Sequence, residues 1–161
     1  MPAFALALLL VACAVASGQD TFESPVYGSH FGTDYCLQCP SGSYVTTLII
    51  RAAAWLDAIS IGCSDGSVLG PVGGPGGYVE RQSCSSGYTR LKLGHRTYMS
   101  SVEPFCNGRS QGAMGGRAET VEDFSCPAGS KLVGLKGRAK ALVMSMQAVC
   151  APLNKSRAAT T

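Results

Sequence analysis

CPSGSYVTTLIIRAAAWLDAISIGC, residues 39–63, decides the fold, because the same frame returns at residues 126–150 as CPAGSKLVGLKGRAKALVMSMQAVC. Laid one on the other, the two stretches share the cysteine pair and the Cys-Pro-x-Gly-Ser opening. They also match Leu48 with Leu135, Arg51 with Arg138, Ala52 with Ala139 and Ala54 with Ala141. A weaker copy opens at Cys84 as CSSGYTRLKL and closes at Cys106, two residues shorter. Three copies at a spacing of roughly 43 residues mean one supersecondary unit used three times, a stronger signal than any single residue. The fold is expected to have threefold pseudosymmetry.

Residues 44–51 are rich in β-branched side chains, and residues 55–63 follow after a short Ala-rich turn. That pattern predicts an antiparallel hairpin. The 20 glycines concentrate between the cysteine frames, and those segments correspond as well. Gly66 aligns with Gly108, Gly70 with Gly112, Gly73-Gly74 with Gly115-Gly116, and Val79-Glu80 with Val121-Glu122. No such segment follows Cys150, so Val26-Tyr27-Gly28-Ser29-His30-Phe31-Gly32 is expected to supply the Gly loop of the third unit. The ring would then close by pairing the two ends of the chain.

The apolar run at residues 4–17 is too short for a membrane span and reads as part of a secretory signal peptide, residues 1–18, with cleavage before Gln19. No later run reaches the roughly 20 apolar residues of a spanning helix, so an exported protein in an oxidising compartment is expected. Residues 19–150 form one domain, and residues 151–161 a polar tail carrying the glycosylation sequon at Asn154. Of the eight cysteines, Cys13 lies in the expected leader. Six of the others allow 15 pairings, and the repeat favours Cys39 with Cys63, Cys84 with Cys106 and Cys126 with Cys150. Cys36 is left over, unpaired or bridging to another chain.

Thirteen basic and ten acidic residues give a net charge of +3, spread along the chain rather than clustered. Nucleic acid is therefore not an expected partner. His30 and His95 lie far apart and the cysteines are committed, so neither a metal site nor any cofactor is expected. No pair of carboxylates falls on matched strand positions, and neither histidine has a nucleophile partner, so the protein is not expected to be an enzyme.

The stretch LIIRAAAWLDAISIGCSDGSVLGPVGGPGG, residues 48–77, resembles the first repeat of jacalin-related lectins: an Arg, a short turn, Leu-Asp-Ala-Ile, a polar turn and a Gly-Gly loop. Residues 131–149, with Val133-Gly134-Leu135-Lys136-Gly137-Arg138, are similar to the family's last strands. The resemblance implies an all-β fold, the β-prism, in which three four-stranded antiparallel Greek-key sheets surround a pseudo-threefold axis. Its cysteine frames are more similar to vitelline membrane outer layer proteins, secreted β-prisms with disulfides.

What every copy shares reads as scaffold, and what one copy alone carries is a candidate for function. Arg51 and Arg138 recur; Asp57 aligns with Ser100 and Met144 and is the only carboxylate at its position. It shares parity with Ile59, Ile61 and Cys63, which predicts the core side of its strand. In the resembled family the equivalent Asp closes a loop that accepts hydrogen bonds from sugar hydroxyls while Gly-loop amides donate. Carried over, this implies a carbohydrate site of Ala54, Trp55, Asp57, Gly73, Gly74 and Gly76. The plainer alternative pairs Asp57 with Arg51, leaves Trp55 to packing and the glycines to turning.

In the last repeat, Lys140-Ala141-Leu142-Val143-Met144 has neither the family's Gly nor its Asp. Lys140 beside Gly28, Ser29 and His30 forms a weaker candidate for a hydroxyl or an anionic glycan. The middle copy offers Arg96, Thr97, Tyr98 and Ser100 beside Gly115-Gly116. The expected function is a secreted, metal-independent lectin that binds glycans or glycoproteins, as a homo-oligomer with Cys36 as a linking residue. The competing expectation is a structural coat protein of an extracellular matrix, such as an egg envelope or a mineralised matrix.

Overall fold

The structure is a computed structural model that describes residue 13 and residues 20–153. The expected leader (apart from Cys13) and the Asn154 sequon lie outside the described residues. In chain order the strands are β1 Phe22–Glu23, β2 Tyr27–Gly28, β3 Thr33–Gln38, β4 Val45–Ala52, β5 Leu56–Cys63, β6 Val68–Gly73, β7 Tyr78–Ser83, β8 Arg90–His95, β9 Met99–Cys106, β10 Arg109–Ser110, β11 Met114–Gly115, β12 Thr120–Ser125, β13 Ser130–Ala139 and β14 Ser145–Pro152. They form three antiparallel sheets. The first runs β6-β5-β4-β7. The second runs β10-β9-β8-β12, with β11 continuing the β10 edge along β9, and the third runs β1-β14-β13-β3, with β2 continuing the β1 edge along β14. Each sheet therefore has four strand positions, and the third is built from both ends of the chain. The predicted hairpin at residues 44–51 and 55–63 is β4 and β5, each beginning one residue later.

Alternation along the strands supplies the core. Leu48, Ile50, Ile59, Ile61, Leu91, Leu93, Val102, Leu132, Leu135 and Met146 turn inward from the three sheets and are almost wholly buried. The non-local pairing this requires is stapled by disulfides Cys39–Cys63, Cys84–Cys106 and Cys126–Cys150, with Cα–Cα distances of 5.7, 5.6 and 5.7 Å. Two tyrosines carry their hydroxyls into this interior. Tyr35 donates to the Ser145 carbonyl at 2.9 Å and Tyr88 to Gln111 Oε1 at 3.0 Å. Burial pushes the Tyr88 hydroxyl up to about 12 and raises that of Tyr35 further.

At the turn end of the prism the three hairpins repeat one geometry. The Ala53 amide donates to the Trp55 carbonyl, Arg96 to Tyr98, and Lys140 to Leu142, at 3.1, 3.0 and 2.9 Å. The turns are tied to each other: Val143 N donates to the Leu56 carbonyl and Met99 N to the Val143 carbonyl. Each Gly loop is anchored alike. Gly74, Gly116 and Ser29 donate to the carbonyls of Asp57, Ser100 and Met144, each at 2.8 Å. The residues preceding them, Gly73, Gly115 and Gly28, have φ of 107°, 105° and 99°, and a Cβ on any of them would run into that same carbonyl. Glycine is required there on both counts.

Two expectations need correction. Asp57 is not on the core face. Arg51 pairs with Ala58 while Ala52 pairs with Leu56, so a β-bulge leaves Asp57 unpaired and resets the alternation. Leu56 and Ile59 both point inward, and Asp57 is left half-buried. Cys36 is neither free nor interchain. It lies on the outer side of β3, opposite Lys136 in register, and is bonded to Cys13 of the same chain with a Cα–Cα distance of 5.5 Å.

Candidate functional site

The bulge that displaces Asp57 from the core delivers its carboxylate to the first Gly loop. A Cβ on Gly76 would collide with Asp57 Oδ1, and one on Gly77 would lie 2.6 Å from Oδ2, so the acid rests directly on the glycine backbone. Only residues without side chains permit this approach. Across the loop, Arg51 takes up the carbonyls. Its Nε donates to Pro75 O and Gly76 O at 3.1 and 3.0 Å, and its Nη2 to Gly77 O at 3.1 Å. The plainer alternative of an Arg51–Asp57 ion pair is thus not what the structure contains: the arginine clasps the loop. No hydrogen bond or ion pair engages the Asp57 carboxylate among the described residues. An ionised acceptor therefore stands beside a rigid Gly loop with its lone pairs unspent.

A shallow groove of about 470 Å³, lined by Arg51, Pro71, Gly73, Gly74 and Pro75, runs along the other side of the loop. The wall next to it comes from another unit, because Gly74 packs against the Ala141 carbonyl in the third unit's turn. The second unit's Gly116 likewise packs against the Ala53 and Ala54 carbonyls of the first. Each of these two sites thus combines the Gly loop of one unit with the turn of another.

This interleaving redistributes the expected residues. Asp57, Gly73, Gly74 and Gly76 come together. Ala54 and Trp55 turn toward the second unit, where Arg96 covers the indole at 4.1 Å and Nη2 of Arg96 donates to the Ala54 carbonyl at 3.1 Å. Tyr98 meets the Trp55 ring at 5.3 Å, tilted by 60°. Ser100 is completely buried and so cannot touch a ligand.

Lys140, expected with Gly28, Ser29 and His30, sits in the turn whose Ala141 carbonyl meets the first unit's loop; its side chain is exposed. His30 is held through its carbonyl by Arg138 Nη1 at 2.8 Å, the counterpart of the Arg51 clasp, and Arg138 Nε also pairs with Asp34 at 3.1 Å. The alignment of Arg51 with Arg138 was the signal for this shared role. Arg117, which follows Gly116, escaped notice because Gly115-Gly116 was read only as the partner of Gly73-Gly74.

No cluster of three metal-binding side chains occurs among the described residues. No described helix is long and apolar enough to cross a membrane.

No protein-family model and no curated protein matches the chain. Solved structures do match. A Malaysian banana lectin superposes with a TM-score of 0.69 at 19% identity, covering 83% of this chain and 99% of its own. A mannose-binding jacalin-related lectin from Ananas comosus gives 0.69 at 22%, covering 82% and 98%. Artocarpin in complex with mannotriose gives 0.68 at 14%, covering 81% and 97%. At these identities the likeness establishes the fold: the chain is a β-prism of the kind found in jacalin-related lectins.

Proposed function

We propose that the protein is a secreted, non-catalytic lectin that binds glycans through hydroxyl groups at the first unit's Gly loop, with Asp57 as the acceptor and no metal. The observation that carries this reading is the half-buried Asp57 carboxylate, set on Gly76 and Gly77 with no partner among the described residues. A carboxylate accepts charge-assisted bonds from two adjacent hydroxyls, and such bonds are roughly twice as strong as neutral ones. The Arg51 clasp turns the loop carbonyls away, so the loop is pre-formed rather than ordered by the ligand. Glycan complexes of fold neighbours, artocarpin with mannotriose and Calystegia sepium lectin with a biantennary N-glycan, support the class of ligand. The disulfides support an oxidising, extracellular setting. Single shallow sites bind weakly, so a homo-oligomer supplies the avidity; removal of the leader takes away Cys13, the partner of Cys36, and leaves Cys36 to link two chains.

The test is a glycan array probed with wild type and Asp57→Asn, both with disulfides intact. Signals that the substitution removes support the site. A folded, multivalent wild type that binds no glycan refutes it. That outcome returns the protein to the matrix-coat reading, which the exposed Phe31, Val68, Tyr78, Val79 and Val121 side chains favour as packing contacts.

A further inference from the structure

We propose that the seam between the first and second units is a separate binding site, selective for sugars bearing a sulfate or carboxylate group, with Arg96 and Arg117 as the anion contacts. It rests on the reading that the protein binds glycans, but uses none of the groups assigned to the Asp57 loop.

The chemistry of the seam is the inverse of that at Asp57. The equivalent position in the second unit is Ser100, which is buried, so no ionised acceptor faces outward there. Arg96 stands in its place. Its guanidinium lies over Trp55 at 4.1 Å and is pinned by one bond from Nη2 to the Ala54 carbonyl. Its Nε is buried and has no partner among the described residues. Buried, Nε is out of a ligand's reach, as Ser100 is, and the half-buried guanidinium meets an acceptor through its terminal nitrogens. A guanidinium held on an aromatic face has lost its rotamer freedom before a ligand arrives, and its planar fork matches the paired oxygens of sulfate or carboxylate.

The Gly loop supplies the second cation. Gly116 packs against the Ala54 carbonyl that accepts from Arg96, and Arg117 is the next residue along the chain. Arg117 is exposed and makes no hydrogen bond or ion pair among the described residues. The neighbouring acids are largely committed: Glu80 Oε2 accepts from the Gly115 amide at 2.7 Å, and Glu122 Oε1 faces His95 Nε2 at 3.2 Å. Glu119 alone remains exposed and unpaired nearby, against two arginines. Tyr98, half-buried beside Trp55, offers an aromatic face and a hydroxyl for the sugar ring that carries the anion. Asp57 would repel such a ligand, and the seam sets two arginines against the one acid, Glu119, so the two sites sort glycans by charge.

The experiment is calorimetric titration of the disulfide-intact chain with a sulfated tetrasaccharide, its desulfated counterpart and inorganic sulfate. It is run on wild type, Arg117→Gln, Arg96→Lys and Asp57→Asn. The sulfated sugar is expected to bind at least about tenfold more tightly than the desulfated one, with the gap narrowing at high salt. Arg117→Gln breaks no contact of the fold and should weaken it about tenfold; Arg96→Lys keeps the charge, loses the fork, and should weaken it as well. Asp57→Asn should leave sulfated binding intact while removing neutral-glycan binding. Loss of the neutral signal in wild type with sulfated binding retained would retire the Asp57 site and leave this one standing. Equal affinity for the sulfated and desulfated sugars, or wild-type affinity in Arg117→Gln, overturns the proposal. So does full competition by equimolar inorganic sulfate, or loss of sulfated binding in Asp57→Asn.

Discussion

Replacing Arg51 by Met keeps the aliphatic stem over the sheet and removes only the guanidinium, which tests whether the loop at residues 73–77 is held from outside. Three bonds are lost, to the carbonyls of Pro75, Gly76 and Gly77 at 3.1, 3.0 and 3.1 Å. The first two share one Nε donor and lie open to solvent, where water replaces them readily, so together they contribute about 0.5–1 kcal/mol; the partly buried third contributes about 1–1.5 kcal/mol. The expected loss is therefore about 2 kcal/mol, or a fall in Tm of roughly 4–8 °C for a domain of this size. Arg81→Met is the control. Arg81 lies on the neighbouring strand opposite Ile49, exposed and without a partner among the described residues, and its loss should fall within about 0.5 kcal/mol. Thermal unfolding gives the totals, and amide exchange locates them: faster exchange in Arg51→Met should concentrate at Gly74, Gly76 and Gly77. An Arg51→Met protein as stable as Arg81→Met, with loop exchange unchanged, would refute the clasp.

Other consequences can be checked as directly. Gly73→Ala places a Cβ against the Asp57 carbonyl at φ 107° and should cost about 3 kcal/mol, whereas Gly42→Ala, at φ 80° in open space, should cost about 1 kcal/mol, both read by denaturant unfolding. Tyr88 and Tyr35 are held neutral by burial, so the stability they contribute is complete below pH 10, the ordinary tyrosine value. It is lost as pH rises through about 12 for Tyr88 and still higher for Tyr35, and absorbance at 295 nm should show both ionising only as the chain unfolds. In the folded full-length chain no thiol should react with maleimide, while a chain cut before Gln19 loses Cys13 and should titrate one, at Cys36.

The threefold frame was legible because repetition fixes much at once: the cysteine pairs, the central hairpins and the Gly loops all recur at matched offsets. Even the contribution of residues 26–32 to the third sheet followed from the missing Gly segment after Cys150, and β2 pairs with β14 as that reasoning requires. Asp57 was misplaced because period-two parity assumes one residue per step, and a bulge adds a residue without marking the sequence. Trp55 and Lys140 were assigned to the loops of their own units. Alignment pairs equivalent positions within a repeat, but it is silent on which neighbour a turn meets once the units are arranged around an axis. Cys36 was left unpaired because its partner falls within the stretch read as a leader. The buried state of Ser100, and the Arg96 stack on Trp55, belong to contacts some 40 residues apart in sequence that local pattern does not encode.

The central claim is that an unpaired carboxylate on a pre-formed Gly loop is what meets the sugar. The direct measurement is titration of the strongest neutral array ligand into wild type and Asp57→Asn, with Tm measured on both. The account predicts an unchanged Tm, since Asp57 has no partner to lose among the described residues, and a fall in affinity of tenfold or more for losing the charged acceptor. Equal affinity in the two proteins would contradict it.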